Sequence, residues 1–423
     1  MKKNLLIFLL ILISKNIEAQ QNNGIFGDKN WTDIWTNFKP KLTDYNETNE
    51  ILSGEITANK TLTKSKTYLL TGIVYVKNNA VLTIEPGTTI RGDFETNGTL
   101  VVTKGSKIIA NGSETDPIVF TSNKHASERN AGDWGGVIIF GEAPINKFGG
   151  MASLDFNLNQ KDSSYGGAND DSNSGVFRYV RIEFAGHRIS ATKELNGLSL
   201  AGVGSKTKLE FIQISYSNDD SFECYGGNLM LNNLVSYRAT DDDFDFSQGV
   251  QCAISNSIAL RNPYSSDSSK SRCFEVESYD KVEDTDFSRK LTSVFAENIT
   301  LLNTEDNNEG LVKEAIFVKE NSFFKLSNSV VSGFEPGIIL DNKIANAPEG
   351  LEMIILDKVL FNNCKKIIKY ESSNNTDLLD QKYAINSSGI AVSNLNQLDL
   401  FTEPNLKKNI DFRIKTNKNF SSR

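Results

Sequence analysis

The phrase SNDDSFECYGG (Ser217–Gly227) returns 22 residues later as ATDDDFDFSQG (Ala239–Gly249). Asp219 and Asp220 align with Asp241 and Asp242, Phe222 with Phe244, Glu223 with Asp245, and Gly227 with Gly249. Its flanks repeat as well. FRYVRIEFAG (Phe177–Gly186) matches LEFIQISYSN (Leu209–Asn218), and LMLNNLVSYRATDD (Leu229–Asp242) matches CAISNSIALRNP (Cys252–Pro263) at an offset of 23, which pairs Arg238 with Arg261. Upstream, AVLTIEPGTTIRGD (Ala80–Asp93) is echoed by GTLVVTKGSKIIANG (Gly98–Gly112) at an offset of 18, with Ile84, Gly87 and Ile90 over Val102, Gly105 and Ile108. Weaker copies follow at Phe295–Asn303, Phe324–Gly333 and Met353–Asn363.

Short runs of alternating apolar and β-branched residues, broken by Gly or Pro-Gly, read as strands and tight turns. Repeated near every 20 residues, with an Asn beside many of them, they read as a solenoid. The fixed leucine pattern of leucine-rich repeats is not present, and helical periodicity is nearly absent. The expected fold is therefore all-β, a right-handed parallel β-helix of roughly a dozen coils with a capping segment at each end. Its expected limits are 66–370, after an N-terminal extension and cap at 20–65 and before a polar C-terminal tail at 371–423 that wraps the last coil or frays. Trp31 and Trp35, four residues apart, are expected to seal the first coil, because an open solenoid end must be covered. The other reading of the pair is a carbohydrate-stacking platform. Loop insertions near 123–133 and 148–175 interrupt the repeat, and loops of such length are usually functional or disordered.

Residues 1–19 carry Lys2 and Lys3, an apolar run from Leu5 to Ile13 and a small residue at Ala19. This is the pattern of a cleaved secretory signal peptide, too short for a spanning helix. No later segment is apolar for long enough to cross a membrane. The net charge is −8 and no basic cluster occurs, which argues against nucleic acid and anionic membranes as partners. Cys224, Cys252, Cys273 and Cys364 lack paired or zinc-type spacing and read as buried thiols. The expectation is a monomer, secreted or on the outer surface, with the periplasm as the other compartment.

The segments GDWGGVIIFGEAPIN (Gly132–Asn146), VFRYVRIEFAG (Val176–Gly186), NGLSLAGVGS (Asn196–Ser205) and YLLTGIVYVKNNAVLTIEPGTTIRGD (Tyr68–Asp93), with NDDSFE and DDDFDF, resemble a large family of secreted β-helix proteins of Bacteroidetes. The resemblance covers most of the chain after the leader. It implies the pectate-lyase-like superfold and an extracellular location, and no particular activity.

In a parallel β-helix, equivalent residues of neighbouring coils lie about 4.8 Å apart. The repeated phrase then sets Asp219 and Asp220 against Asp241 and Asp242, and Glu223 against Asp245. Like charges at that spacing repel by about 1 kcal/mol even in water. Three compensations are open. The acids bond turn N–H groups and pair with Arg238, Arg261, Arg178 or Arg181. Alternatively, Asp219, Asp220, Asp241, Asp242 and Asp243 hold Ca²⁺, which takes six to eight oxygens. Finally, Asp220 and Asp242, with Arg238 as base, work on a glycosidic bond as a polysaccharide lyase or glycoside hydrolase. NDDSF is loosely similar to the paired-Asp motif of polygalacturonases, but the Gly-His-Gly and Arg-Ile-Lys partners of that motif are missing, and His187 stands before the acids. Pectate lyases use Ca²⁺ with an Arg or Lys base, and Arg238 and Arg261 are the candidates for that role. A third NDDS, at Asn169–Ser172, would join the cluster if its loop folded back. No organic cofactor motif is present. The expected function is non-catalytic: carbohydrate binding or surface adhesion, stabilised by calcium, with Asp219, Asp220, Glu223, Asp241, Asp242, Asp243, Asp245, Arg238 and Arg261 as the ligand-binding set.

Overall fold

The computed structural model describes residues 23–266, 270–279, 281–305, 310–345, 348–371, 387–415 and 421–422; the leader at 1–19 lies outside them. The chain winds as a right-handed parallel β-helix in which 27 strands join one continuous sheet. Each coil contributes to three faces. The first face runs through Val81–Ile84, Lys107–Asn111, Gln251–Ser255 and Ser293–Glu297. The third runs through Thr99–Val102, Gly136–Phe140, Leu198–Ala201, Phe222–Tyr225, Phe244–Ser247, Phe274–Val276, Ile316–Val318, Ile338–Leu340 and Ile368–Tyr370. Between them lies the second face, which holds Ile258–Arg261 and Thr300–Asn303.

Long strands such as Gly175–Glu183, Lys208–Ser215, Asn228–Tyr237 and Phe323–Ser332 cross from the first face to the second without a loop. They turn the corner at one left-handed residue. Tyr179, Phe211, Asn233, Asn256, Asn298, Asn328 and Lys358 occupy it in successive coils, with φ from 47° to 57°. Asn tolerates this backbone region better than most residues, which explains the Asn that recurs beside the strands.

The repeated phrase sits as its alignment requires, Phe222 opposite Phe244 and Glu223 opposite Asp245. Leu229 pairs with Cys252, at the offset of 23. Because side chains alternate along a strand, Phe222, Phe244 and Phe274 point inward and stack at 5.3 and 5.0 Å between ring centroids. All four cysteines are buried free thiols. The offset-18 echo is a different matter. Ile84 pairs with Ala110 on the first face, whereas Val102 pairs with Ile139 on the third. The echo therefore relates two faces that share a strand-turn pattern, not two neighbouring coils.

Both ends of the helix depart from the expected limits. The first coil begins at Glu50–Ile56, inside the expected extension, where only Leu52 and Ile56 of the seven residues are buried and the alternation is weak. The ladder also continues past residue 370, through Ala391–Ser393. Trp31 and Trp35 do not cap the first coil. They lie along the outside of the second face, where Trp35 is 0 % exposed and packs edge-on against Tyr179 and Phe211 at its corner. The described part of the tail returns to the same flank, with Leu400, Phe401 and Phe412 in one apolar cluster with Ile25, Trp35, Val235 and Leu260.

Replacing Phe244 by Ala removes the middle ring of the internal stack. Denaturant titration is expected to show a loss of about 3–5 kcal/mol, the cost of deleting a buried aromatic side chain that its neighbours cannot refill.

Candidate functional site

The outward positions of the third face form the floor of a cleft of about 780 Å³. The strands bring Ser199, Glu223, Asp245, Glu275 and Phe317 into one column, coil upon coil. Three successive coils therefore place a carboxylate on the same line. One wall is a hairpin, Met151–Ser153 paired with Ser164–Gly166, which contributes Leu154, Phe156 and Tyr165. Beside it the smaller hairpin at Arg188–Ser190 and Lys193–Glu194 brings Lys193 to the rim. The opposite edge is the turn that precedes each strand, and it carries Asp219, Asp220, Asp241, Asp242 and Arg272.

That turn has its own chemistry. An Asp220 carboxylate oxygen accepts the N–H of Asp242 in the next coil at 2.9 Å, and an Asp242 oxygen accepts the N–H of Arg272 in the coil after that. The second Asp of each phrase is thus a rung between coils. Asp243 behaves differently. Its side chain points inward, accepts from the Ser236 hydroxyl and pairs with Arg261 at 3.1 Å, both groups being 0 % exposed. The same guanidinium donates to the carbonyls of Asp241 and Arg272 at 2.6 and 2.9 Å. Asp243 and Arg261 are therefore internal structural groups, which corrects their expected place in the metal and ligand-binding sets. Arg238 is also displaced. Its backbone is left-handed, at φ 59°, which turns the side chain out to Glu305 at 2.9 Å and away from the acids. The alignment of Arg238 with Arg261 holds in the backbone but not in side-chain direction, so a base at Arg238 is ruled out by geometry. The third NDDS stays apart as well, because Asp171 accepts from the Ser205 hydroxyl at 2.8 Å and pairs with Lys206.

Several residues of the cleft, Tyr225, Arg272, Glu275, Phe317 and Lys319 among them, were not singled out from sequence. Glu223 accepts from the Asn196 amide and the Tyr225 hydroxyl. Glu275 pairs with Arg272 at 2.8 Å and Lys319 at 2.5 Å, and Lys319 also reaches Glu277. Both cations lie over the Phe317 ring, at 4.6 and 5.6 Å from its centroid. The signal for this half was a third copy of the phrase, SRCFEVE (Ser271–Glu277), concealed because its coil is 30 residues long rather than 22.

The electrostatics divide the cleft. At the Glu275 end, burial opposes the Lys319 charge, yet Glu277 and Glu275 overcome it and hold the amine above the usual lysine range. At the other end no such cation is spent on Asp245. One of its carboxylate oxygens is buried without a hydrogen-bond donor. Burial pushes the Asp245 carboxyl well above the usual range, and Glu223, Glu277 and Glu275 push the same way. Asp220, only 5 % exposed, is raised by burial and then by Asp219 and Asp241. Burial, followed by Glu275, raises Asp242. Two carboxylate triads result, Asp219–Asp220–Asp241 and Asp220–Glu223–Asp245, each with oxygens within 4.8 Å of one another and sharing Asp220. Asp242 and Asp243 belong to neither triad, and Asp243 lies inside the coil.

A fold of stacked strands, with its cleft on one strand face beneath long loops, defines a class of protein. The chain belongs to the pectate-lyase-like β-helix domain family, whose model matches residues 54–399. No curated protein and no solved structure matches it. Among the described residues no helix is long and apolar enough to cross a membrane.

Two outcomes follow. Carboxyls whose affinity for protons is raised on folding favour the folded state below about pH 4, and that advantage is lost as pH rises through their folded-state values. In chelator, melting temperature is expected to fall as pH rises from about 4 toward neutrality, and the fall is expected to shrink in Asp245→Asn. Asp243→Asn leaves the Arg261 charge buried and uncompensated, so it is expected to cost about 3–5 kcal/mol in denaturant titrations.

Proposed function

We propose that this is a secreted, non-catalytic β-helix protein of a Bacteroidetes-type bacterium that binds an extracellular carbohydrate in the acidic cleft with the help of Ca²⁺. The observation that carries the reading is the buried, donor-less oxygen of Asp245 beside Asp220 and Glu223. An oxygen in that position calls for a proton or a cation, and a hard divalent ion takes carboxylate oxygens, with water and ligand hydroxyls completing six to eight contacts. Asp220, Glu223 and Asp245 would hold the ion, and Asp219 and Asp241 would enlarge the site. Phe156, half-buried on the hairpin wall, supplies flat apolar surface for a sugar ring, while Thr192 and the acids at the rim and floor supply hydrogen-bond partners for its hydroxyls. The basic groups nearest the acids, Arg272 and Lys319, are engaged by Glu275 and Glu277. A neutral polysaccharide therefore suits the cleft better than a polyuronate, unless the ion bridges to the uronate.

Hydrolysis is the second reading, favoured by the raised proton affinities of Asp220 and Asp245. The crowding of three carboxylates, where hydrolysis uses two, favours a shared ion instead. Oxygens all within 4.8 Å of one another are placed to share one ion. A lyase would need a free base, and Arg238 faces away.

Melting the protein in millimolar CaCl₂ and in EGTA tests the metal, because an ion that binds only the folded state raises its stability with concentration. The expected result is a higher midpoint in calcium that disappears in Asp220→Asn and Asp245→Asn. Affinity electrophoresis against soluble neutral and uronate polysaccharides tests the ligand. Retardation in calcium that weakens about tenfold in Phe156→Ala, the loss of roughly 1.4 kcal/mol of contact, supports the cleft. Retardation by no polysaccharide, with or without calcium, would remove the carbohydrate reading, and turnover of any of them would replace it with hydrolysis or elimination.

A further inference from the structure

A solenoid ordinarily needs only contacts between neighbouring coils. The segment from Asn23 to Glu47 breaks that rule. It runs along the second face against the direction of winding. Its start is bound to late coils: Asn23 donates to the carbonyls of Ser329 and Lys358 at 3.2 and 2.6 Å, and the N–H of Gly24 donates to Asn328 at 2.8 Å. Next, the N–H groups of Ile25 and Phe26 donate to the Thr300 hydroxyl and the Asn256 side chain at 3.0 and 2.9 Å. Midway, the backbone of Asn37 exchanges two bonds with the Gln213 amide, at 2.6 and 2.9 Å. Further along, the Tyr45 hydroxyl donates to Glu183 at 2.9 Å, while buried Arg129 and Arg91 donate to the carbonyls of Thr43 and Asn46 at 2.8 and 3.0 Å. The C-terminal hairpin, Phe401–Glu403 with Asp411–Ile414, closes over it. Asn30 donates to the Ile410 carbonyl at 2.5 Å, and Arg413 to that of Gly27 at 2.8 Å.

We infer that this segment is a clasp that docks last. Its seat at Asn256, Thr300, Ser329 and Lys358 does not exist until those coils have formed, and the hairpin that holds it comes later still in the chain. Docking it closes a loop of some 300 residues, as the sequence separations of 306 and 335 record, and contacts of that range form slowly. The coils, in contrast, need only their neighbours. Before docking, the second face presents Tyr179, Phe211, Tyr216 and Tyr237 to solvent, and Glu183 and Gln213 lack their clasp partners. The undocked solenoid is thus a distinct species, formed but uncovered along one flank.

Pulse-labelling hydrogen exchange during refolding of the full chain, read by mass spectrometry, tests this without any substitution. Peptides from 23–45 are expected to gain protection later than those from 198–260, by about tenfold in time, given how strongly range of contact governs rate. Simultaneous protection would overturn the inference. At equilibrium, the Asn30→Ala, Arg413→Ala double variant is expected to speed exchange across 23–38 by about tenfold, the loss of two hydrogen bonds, while residues 198–260 keep their protection. An equal loss across both regions would mean that the segment is an integral part of the coils, and would overturn it equally.

Discussion

Parallel, in-register stacking governs everything else in this protein. Each strand lies about 4.8 Å from its counterpart in the next coil, so a side chain meets its own kind above and below. Indoors this is favourable, and Phe222, Phe244 and Phe274 stack ring on ring. Outdoors the same rule forces Glu223, Asp245 and Glu275 together. The chain relieves the repulsion in three places by three means: a backbone N–H for Asp220 and Asp242, an amide and a phenol for Glu223, and two cations for Glu275. Asp245, between the relieved positions, is where the field remains concentrated.

The three faces consequently serve different ends. The third face offers an acidic floor with loops standing over it as walls. The second face is covered by both ends of the chain. This division follows from where insertions occur. The loop at 148–175 leaves the coil between the third face and the first, and folds back over the third. The terminal segments have no ladder position of their own along most of their length, and they settle on the aromatic corner residues of the flank.

Much of the fold was legible in the sequence because a repeat states its own register. Phe222 with Phe244, Phe177 with Leu209 and Leu229 with Cys252 are pairs that can be read by eye and that the strands observe. Other features lacked any periodic signal. Glu275 was concealed by a longer turn, which shifts a copy out of phase without altering its place in the ladder. Arg238 and Arg261 occupy equivalent backbone positions, and a single left-handed φ sends one outward while the other stays in the core. Trp31 and Trp35 looked like an end seal because sequence gives no distance along the rod. Their partners, Tyr179 and Phe211, lie in mid-helix.

The buried Arg261–Asp243 pair has a consequence for how such a chain finds its frame. Repeats that resemble one another invite slippage, in which a coil pairs one step too early or too late and still buries apolar residues. A slip of one coil would set Arg261 beside Ser221 or Cys273, the neighbours of Asp243 in the phrase, and strand a guanidinium in the interior without a counter-charge. The cost of that error is several kcal/mol, whereas exchanging Phe for Phe costs little. An asymmetric pair placed among stacked apolar positions acts as an index mark that tells otherwise similar turns apart.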